Sequence, residues 1–249
     1  MHSTSTGADW IDRVLSGAAN PGYVAFHRPR FRFLIDVLRS RAGRRGDRLL
    51  DVGASELTSF LAAELGNRVE SLGLEADRQT RGGLRHHRFD LNDTQYRDRW
   101  RMDIGPYDVI VFAEVLEHLY TAPELVLSYL KELLVPDGLL IVQTPNAVAL
   151  RKRAKMLLGL NPFERIRTDR DNPGHFREYT ARELRELLVG SGFSVEAVWM
   201  KHYFDARYAR HERGDEAPSR FMGPIKNALY PLLPATWREG ITIAARRRA

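Results

Sequence analysis

The segment FAEVLEHL, residues 112–119, places two carboxylates and an imidazole just after the apolar run YDVIVF. Glu114, Glu117 and His118 are separated by the spacings i, i+3 and i+4, which would put all three on one face of a helix. A fourth polar group, His175, comes from the distant segment GHFREYT. Two Glu and two His make a suitable ligand set for a hard or borderline divalent cation.

Three interpretations of this group are open from the sequence. In the first, Glu114, Glu117, His118 and His175 bind a divalent cation such as Mg²⁺, which would lower the pKa of an acceptor hydroxyl. In the second, no metal is present and His118 or His175 is the general base. In the third, Glu114 only contacts a cofactor, while Glu117 and His118 have local structural roles.

The elements that must position these residues follow from the hydrophobic pattern. Short apolar runs alternate with helical patterns, which indicates a parallel α/β sheet with crossover helices. Thr121 with Glu124, and Thr180 with Glu183, have capping-box spacing and predict two helix starts, and Pro136 and Gly138 predict the end of the first of these helices. Seven strands are predicted, at residues 48–53, 69–75, 87–91, 107–112, 139–143, 193–200 and 240–246.

Three of these strands end in residues suited to a nucleoside. In open α/β sheets, ligands bind outside the carboxyl ends of the strands. Gly53 lets the backbone approach a ligand closely because it has no Cβ. Glu75 is placed to accept hydrogen bonds from both ribose hydroxyls, and Asp90 from an exocyclic adenine amine. In combination, they predict an adenosine site.

Several motifs then identify a family. LLDVGAS, LGLEAD, FDLND, YDVIVFAEVLEHL, LLVPDGLLIVQTPN and HFREYTARELRELLVGSGF resemble the class I S-adenosylmethionine-dependent methyltransferases, over roughly residues 30–200 and 240–246. LEHL, PDGLLIVQTPN and H-x-R-x-[YF]-T resemble the branch that contains small-molecule and sugar O-methyltransferases. The resemblance implies a Rossmann-like seven-stranded sheet in the order 3-2-1-4-5-7-6, with the last strand antiparallel and helices on both faces. It also implies S-adenosylmethionine as the cofactor.

The family's motifs assign cofactor contacts to matching positions. The resemblance implies that these side chains surround the cofactor from its methionine end to its adenine: Arg30, Asp51, Gly53, Ser55, Glu114, Glu75, Asp90 and Leu91. Where the family usually has two further glycines, this chain has Ser55 and Leu57. Ser55 can follow the tight turn, but Leu57 would crowd it unless the loop bends away. A degenerate, inactive cofactor-binding scaffold is therefore an alternative to the enzyme.

The E-x-x-E-H spacing with a distant His carries a second resemblance. It is similar to small-RNA 2′-O-methyltransferases and to ubiquinone-biosynthesis O-methyltransferases that use a divalent metal. The function expected is methyl transfer to a hydroxyl of a small-molecule or glycan-like acceptor, either phosphorylated or lipid-linked. RNA ribose 2′-O-methylation is the alternative, which a net charge of only +6 disfavours.

Charge and composition set the remaining expectations. Residues 1–29 are expected to be an N-terminal extension to a methyltransferase domain at 30–249, with cap-like insertions at 147–173 and 201–239. Both insertions are basic, with seven Lys/Arg against three Asp/Glu in the first, which favours an anionic acceptor. The stretch at 150–160 suits either a cap helix or peripheral membrane contact. The absence of cysteine excludes disulfides. The absence of a signal-peptide-like or long apolar run predicts a cytoplasmic protein without a transmembrane segment.

Overall fold

A computed structural model describes residues 21–41, 47–65, 68–74, 84–169, 173–209 and 221–248 of the chain. The chain divides into two compact units. The first contains the described residues up to Val37 together with those of His202–Leu233. The second contains those of Leu38–Lys201 and those from Pro234 onward, and it holds the whole sheet.

The sheet of the second unit has the predicted seven strands in the order β3-β2-β1-β4-β5-β7-β6. Strands β1 to β5 pair in parallel, whereas β7 runs antiparallel to both β5 and β6. The fold class and strand order predicted from the sequence are therefore confirmed. The strands are β1 (Leu49–Val52), β2 (Val69–Gly73), β3 (His86–Arg88), β4 (Tyr107–Ala113), β5 (Leu134–Pro145), β6 (Phe193–Lys201) and β7 (Gly240–Arg247).

Helices connect most of these strands, as parallel pairing requires. Every residue of β1 is buried, which is why it reads as a continuous apolar run around Asp51. No helix among the described residues has the length and apolar character needed to span a bilayer. The helices are α1 (Pro21–Arg41), α2 (Glu56–Leu65), α3 (Pro123–Glu132), α4 (Leu150–Leu157), α5 (Ala181–Gly190) and α6 (Met222–Leu229).

One of the two predicted capping boxes is present. At the start of α5, Glu183 N donates to Thr180 Oγ1 at 3.2 Å and Thr180 N donates to Glu183 Oε2 at 2.9 Å. The box predicted at Thr121 is wrong, because Ala122 is the N-cap of α3 and no side chain caps it. Pro123 occupies the first turn instead, where its missing N–H costs nothing.

The predicted end of α3 is also displaced. The helix ends at Glu132, and β5 begins at Leu134, before Pro136 and Gly138, which were predicted to end the helix. The pairing of β5 with β4 shifts register at this point, and Asp137 has a φ of 62°. The irregularity is therefore a bulge at the start of the strand, where Pro and Gly are tolerated.

The first unit joins the predicted N-terminal extension to the second predicted insertion. Phe26 stacks on Phe204 with ring centroids 4.8 Å apart, and Asp205 N donates to Phe26 O at 2.8 Å. The Asp205 carboxylate accepts hydrogen bonds from Arg207 and Asn227. The predicted boundary between residues 29 and 30 falls inside α1. Residues 1–20 of the extension lie outside the described residues.

Candidate active site

The turn after β1 excludes any side chain at Gly53. Gly53 has a φ of 80°, and its N–H donates to Leu72 O of β2 at 2.9 Å. A Cβ at this position would lie 2.2 Å from Cγ2 of Val115, the second residue after β4. The turn therefore requires glycine for both its conformation and its packing.

Hydroxyl groups hold the rest of this turn. The buried Asp51 accepts a hydrogen bond on Oδ2 from Thr58 Oγ1 at 2.6 Å, and Ser55 N donates to Thr58 Oγ1 at 2.9 Å. Leu57 N donates to Ser55 Oγ at 3.2 Å. Leu57 is the second residue of α2, and its side chain is buried. Ser55 and Thr58 thus set the loop conformation without the family's further glycines.

Asp90 caps the short 3₁₀ helix that follows β3. Its Oδ1 accepts hydrogen bonds from the backbone N–H of Asn92 at 2.8 Å and from the Asn92 amide at 3.1 Å. The Oδ1 of Asn92 in turn accepts from Tyr120 N at 2.9 Å, which ties the end of β3 to the loop after β4. Leu91 is buried. Within the described part of the chain no donor reaches Asp90 Oδ2, which leaves that atom for a ligand.

Other predicted cofactor contacts have different outcomes. Glu75 lies outside the described residues. Arg30 is buried in α1 and belongs to the first unit, so its contact with the cofactor carboxylate stays a prediction.

Glu114 follows β4 in the left-handed region, with a φ of 57°, and its N–H donates to Gln143 O at 2.8 Å. Such backbone strain in a non-glycine residue is typical of functional sites.

Three of the four predicted metal ligands converge. Glu117, His118 and His175 each contribute one candidate ligand atom, and these atoms lie within 4.8 Å of one another. Glu114 is not part of this group. The spacing argument does not hold for it, because the segment forms a 3₁₀ helix over Leu116–His118 and no α-helix begins at Glu114.

Each member of this cluster, Glu117–His118–His175, is oriented by a second polar group. His118 Nδ1 donates to Gly174 O at 3.0 Å, and His175 Nδ1 donates to Glu178 Oε1 at 3.1 Å. Glu117 Oε2 accepts from Thr144 Oγ1 at 3.1 Å. Because each Nδ1 carries the proton, the Nε2 of both rings carries the lone pair. This arrangement suits either metal binding or proton transfer.

Burial keeps both imidazoles neutral. It lowers the pKa of His118 below its usual value, against the opposing hydrogen bond to Gly174. Burial, together with the neighbouring His118, lowers the pKa of His175 to about 4. The ring centroids are 4.7 Å apart in an edge-to-face pair. Both rings therefore offer lone pairs at neutral pH.

A buried lysine completes the surroundings of the cluster. Lys152 Nζ donates to Asn146 O at 3.0 Å and forms an ion pair with Glu178. Burial and the nearby Arg151 lower its pKa to about 8, against the attraction of neighbouring carboxylates that include Glu114. The sequence places Lys152 among surface cations, but its side chain is buried because these partners lie inward.

Asn146, at the end of the predicted fifth strand, has a structural role. Its amide donates to Thr236 O at 3.0 Å and Arg238 O at 2.8 Å, and its Oδ1 accepts from Val148 N at 3.1 Å. These contacts cap the turn that follows β5. The structure also reveals positioning residues that sequence reasoning missed, namely Thr58, Asn92, Thr144, Lys152 and Glu178. Of these, Glu178 alone had a local signal, three residues after His175.

The chain belongs to a known family. A family model described as a methyltransferase domain matches residues 26–198. Together with the strand order and the turn after β1, this identifies a class I S-adenosylmethionine-dependent methyltransferase. The chain is 31% identical over 166 residues to a Mycolicibacterium smegmatis protein described as a "probable S-adenosylmethionine-dependent methyltransferase". That match covers 65% of this chain and 58% of the relative, little more than half its length.

Solved structures share the fold at low sequence identity. A methyltransferase from Archaeoglobus fulgidus superposes with a TM-score of 0.54 at 16% identity, covering 87% of this chain and 94% of that one. The N-methyltransferase NodS from Bradyrhizobium japonicum, in complex with S-adenosylhomocysteine, superposes with a TM-score of 0.53 at 13% identity, covering 96% of this chain and 97% of that one. Likeness at this level shows the architecture and does not identify an acceptor.

Proposed function

We propose that this protein transfers the methyl group of S-adenosylmethionine to a hydroxyl of a small-molecule or glycan-like acceptor. The observation that carries the proposal is the link between two parts of the site. Val115 packs against Gly53 in the turn after β1, and Glu117 and His118 follow two and three residues later. The cluster is thus held beside the turn that suits the cofactor.

The residues present fit the cofactor. The turn at Gly53 offers backbone without a side chain, and Asp90 Oδ2, which accepts from no donor among the described residues, follows β3 and is suited to an adenine amine. When bound, S-adenosylmethionine supplies a methyl group activated by its sulfonium sulfur. The protein has to align the acceptor, exclude water and remove one proton.

In this proposal His118 removes that proton. Bound S-adenosylmethionine would supply the methyl group for the new C–O bond, and His118 Nε2 would take up the hydroxyl proton. The resulting imidazolium keeps its Nδ1–H bond to Gly174 O, which holds the ring in place. His175, whose pKa is about 4, is the weaker base of the pair. Its role is to pack edge-on against His118 and to restrict that ring.

A second candidate mechanism places a divalent cation on Glu117, His118 and His175. The specific observation in its favour is the orientation of all three ligands by Thr144, Gly174 and Glu178, the outer shell expected of metal sites. Two imidazoles and one carboxylate favour a borderline ion such as Mn²⁺ or Zn²⁺ over Mg²⁺. The imidazoles would then be ligands, and the ion would lower the pKa of the acceptor hydroxyl.

The basic composition of the insertion at 147–173 predicted an anionic acceptor, but the structure supports this prediction less than the composition does. Lys152 is buried and paired with Glu178, and Arg153 Nε donates to Val148 O at 2.6 Å. Arg151 is the exposed member of this run. We keep an anionic acceptor as a proposal with a direct test, since its KM should rise with ionic strength. A KM that does not change with salt contradicts it.

Methyl transfer from radiolabelled cofactor, measured on three acceptor sets, tests the function. The sets are phenols and catechols, sugars and sugar phosphates, and short single-stranded RNA. Turnover on either hydroxylated small-molecule set, with none on RNA, supports the proposal. Turnover on RNA alone favours ribose methylation. If calorimetry detects no binding of S-adenosylmethionine at millimolar concentration, the protein is a scaffold.

Chelation distinguishes the two mechanisms. Full turnover in excess chelator supports His118 as a free base and contradicts the metal site. Loss of turnover that Mn²⁺ restores supports the metal. Glu117→Gln should then lower the affinity for Mn²⁺, measured by calorimetry, while the affinity for S-adenosylmethionine stays within about twofold of the wild type.

A further inference from the structure

The segment Met156–Ile166, which includes the last two residues of α4 and the loop after it, exposes an unusual concentration of apolar side chains. Leu157 is 88% exposed and Leu158 is 75% exposed. A contiguous exposed apolar patch on a folded protein is typical of an interaction site. The exposed apolar side chains are Met156, Leu157, Leu158, Leu160, Phe163 and Ile166.

This segment, called here the apolar loop, has a defined conformation. Gly159, with a φ of 70°, follows Leu158, the C-cap of α4, and Leu160 N donates back to Lys155 O at 2.9 Å. Phe163 N donates to Asn161 Oδ1 at 3.0 Å, and Arg167 N donates to Pro173 O at 2.9 Å. Hydrogen bonds at both ends thus fix the backbone of the apolar loop.

Cations border the apolar loop. The stretch from Arg151 to Arg167 contains six Lys or Arg residues, of which Lys152 is buried, and one acid, Glu164, which pairs with Arg167. Arg151 and Arg165 are exposed, and within the described residues neither they nor Lys155 forms an ion pair. Apolar side chains with a cationic border match the acyl and headgroup layers of an anionic bilayer.

We propose that the apolar loop docks this protein on an anionic phospholipid surface, with Leu157 and Leu158 inserted among the acyl chains. A second copy of the chain fits less well. A standard protein interface uses roughly 20–30 residues on each side, and the apolar loop is much shorter. The proposal is drawn from exposure and charge alone and does not depend on methyl transfer.

Co-sedimentation of the full chain with lipid vesicles tests the docking. We expect binding to vesicles of equal phosphatidylglycerol and phosphatidylcholine, and binding at least about tenfold weaker to phosphatidylcholine alone. The double variant Leu157→Ser/Leu158→Ser should lower the partition coefficient on mixed vesicles by about tenfold or more. Arg151→Glu/Arg165→Glu should lower it on mixed vesicles only.

Met102→Ser is the matched control, because Met102 is an exposed apolar residue outside the apolar loop. Its partition coefficient on mixed vesicles should be within about twofold of the wild-type value. Equal melting temperatures across all variants would show that exposed substitutions leave the fold intact. Wild-type protein that stays in the supernatant with mixed vesicles overturns the proposal. So does a dimer in light scattering that the Leu157/Leu158 variant abolishes while vesicle binding is unchanged.

Discussion

A Cβ on Gly53 would lie 2.2 Å from Cγ2 of Val115. Gly53 directly follows β1 and Val115 follows the paired strand β4, so this contact joins the carboxyl ends of the two central strands. Val115 also precedes the 3₁₀ helix Leu116–His118. The turn suited to the cofactor and the Glu117–His118–His175 cluster are therefore mechanically connected through one side chain.

Gly53→Ala should abolish measurable binding of S-adenosylmethionine or weaken it at least about tenfold. The new methyl group must displace Val115, and the positive φ disfavours any L side chain. Calorimetric titration with the cofactor gives the affinity, and thermal unfolding gives the stability cost.

Two further variants separate packing from backbone strain. Gly159 has a φ of 70°, and among the described residues other than its two chain neighbours no atom lies within 4 Å of the point that a Cβ would occupy, so Gly159→Ala carries only the strain, on the order of 1 kcal/mol. The double variant Gly53→Ala/Val115→Ala removes the clashing methyl group and should recover part of the affinity. If it recovers none, the contact between Gly53 and Val115 is not what limits binding.

Asp90→Asn should separate the capping role of Asp90 from its proposed contact with adenine. Asn is also a good cap residue and keeps an Oδ1 acceptor for Asn92 N, so the melting temperature should change little. The Oδ2 atom is replaced by an amide nitrogen that cannot accept from the adenine amine. Affinity for S-adenosylmethionine should fall about tenfold, consistent with an unmade hydrogen bond.

Asp90→Ala is the companion variant, since it removes the cap as well. It should lower the melting temperature in addition to the affinity. Equal cofactor affinities for the wild type and Asp90→Asn would place the adenine elsewhere and leave Asp90 as a cap only.

The sequence predicted the features that local pattern determines. Six of the seven strands coincide with short apolar runs, whereas β3 (His86–Arg88) overlaps the predicted strand 87–91 at two residues only. The Thr180–Glu183 capping box is made by residues three apart in one segment. The box at Thr121 fails because a distant residue competes, with Thr121 N donating to Asn92 Oδ1 at 3.3 Å. Tertiary contact overrides local propensity there.

The candidate active site likewise combines features that the local sequence predicts with features that depend on long-range contacts. His118 and His175 were predicted as a pair from residue chemistry, and their rings do meet. The inward position of Lys152 was not predictable, because it depends on Asn146 O and on Glu178 from a separate segment. Residue types limit the chemistry that a site can perform, while long-range hydrogen bonds determine which side chains enter the site.

Glu178→Gln should weaken metal binding if the cluster holds a cation. The Glu178 carboxylate fixes the tautomer of His175 and raises the basicity of its Nε2, and losing such a partner costs about 10- to 100-fold in metal affinity. Titration with Co²⁺, followed by its visible absorption, measures the affinity. The affinity for S-adenosylmethionine should be unchanged.

Glu186→Gln is the control for that experiment, because Glu186 is an exposed glutamate paired with Arg182 on the helix that follows. It should bind Co²⁺ as the wild type does. If Glu178→Gln binds Co²⁺ as tightly as the wild type, the Glu178–His175 bond does not support a metal ligand.

The cluster around Glu70 predicts how stability depends on pH. Glu70, in β2, accepts hydrogen bonds from His87 at 2.6 Å, Tyr107 at 2.8 Å and Arg48 at 2.9 Å. Burial opposes its ionisation, but these three bonds outweigh burial and lower its pKa to about 2. A carboxyl whose folded-state pKa lies below its unfolded value stabilises the fold above that unfolded value, near 4.5.

Glu70→Gln should therefore lower the free energy of unfolding by about 1 to 2 kcal/mol at pH 7, less than the full pKa shift would give because the side chain is partly solvated. The difference from the wild type should shrink as the pH falls from about 4.5 toward 2, because the Glu70 carboxyl of the unfolded chain takes up a proton there while that of the folded protein stays ionised. Urea unfolding at pH 7 and pH 3.5 measures the free energy of unfolding of both proteins. Glu186→Gln is the exposed control, and its free energy of unfolding should be within about 0.5 kcal/mol of the wild type. A difference that stays constant across this range would show that the charge of Glu70 does not stabilise the sheet.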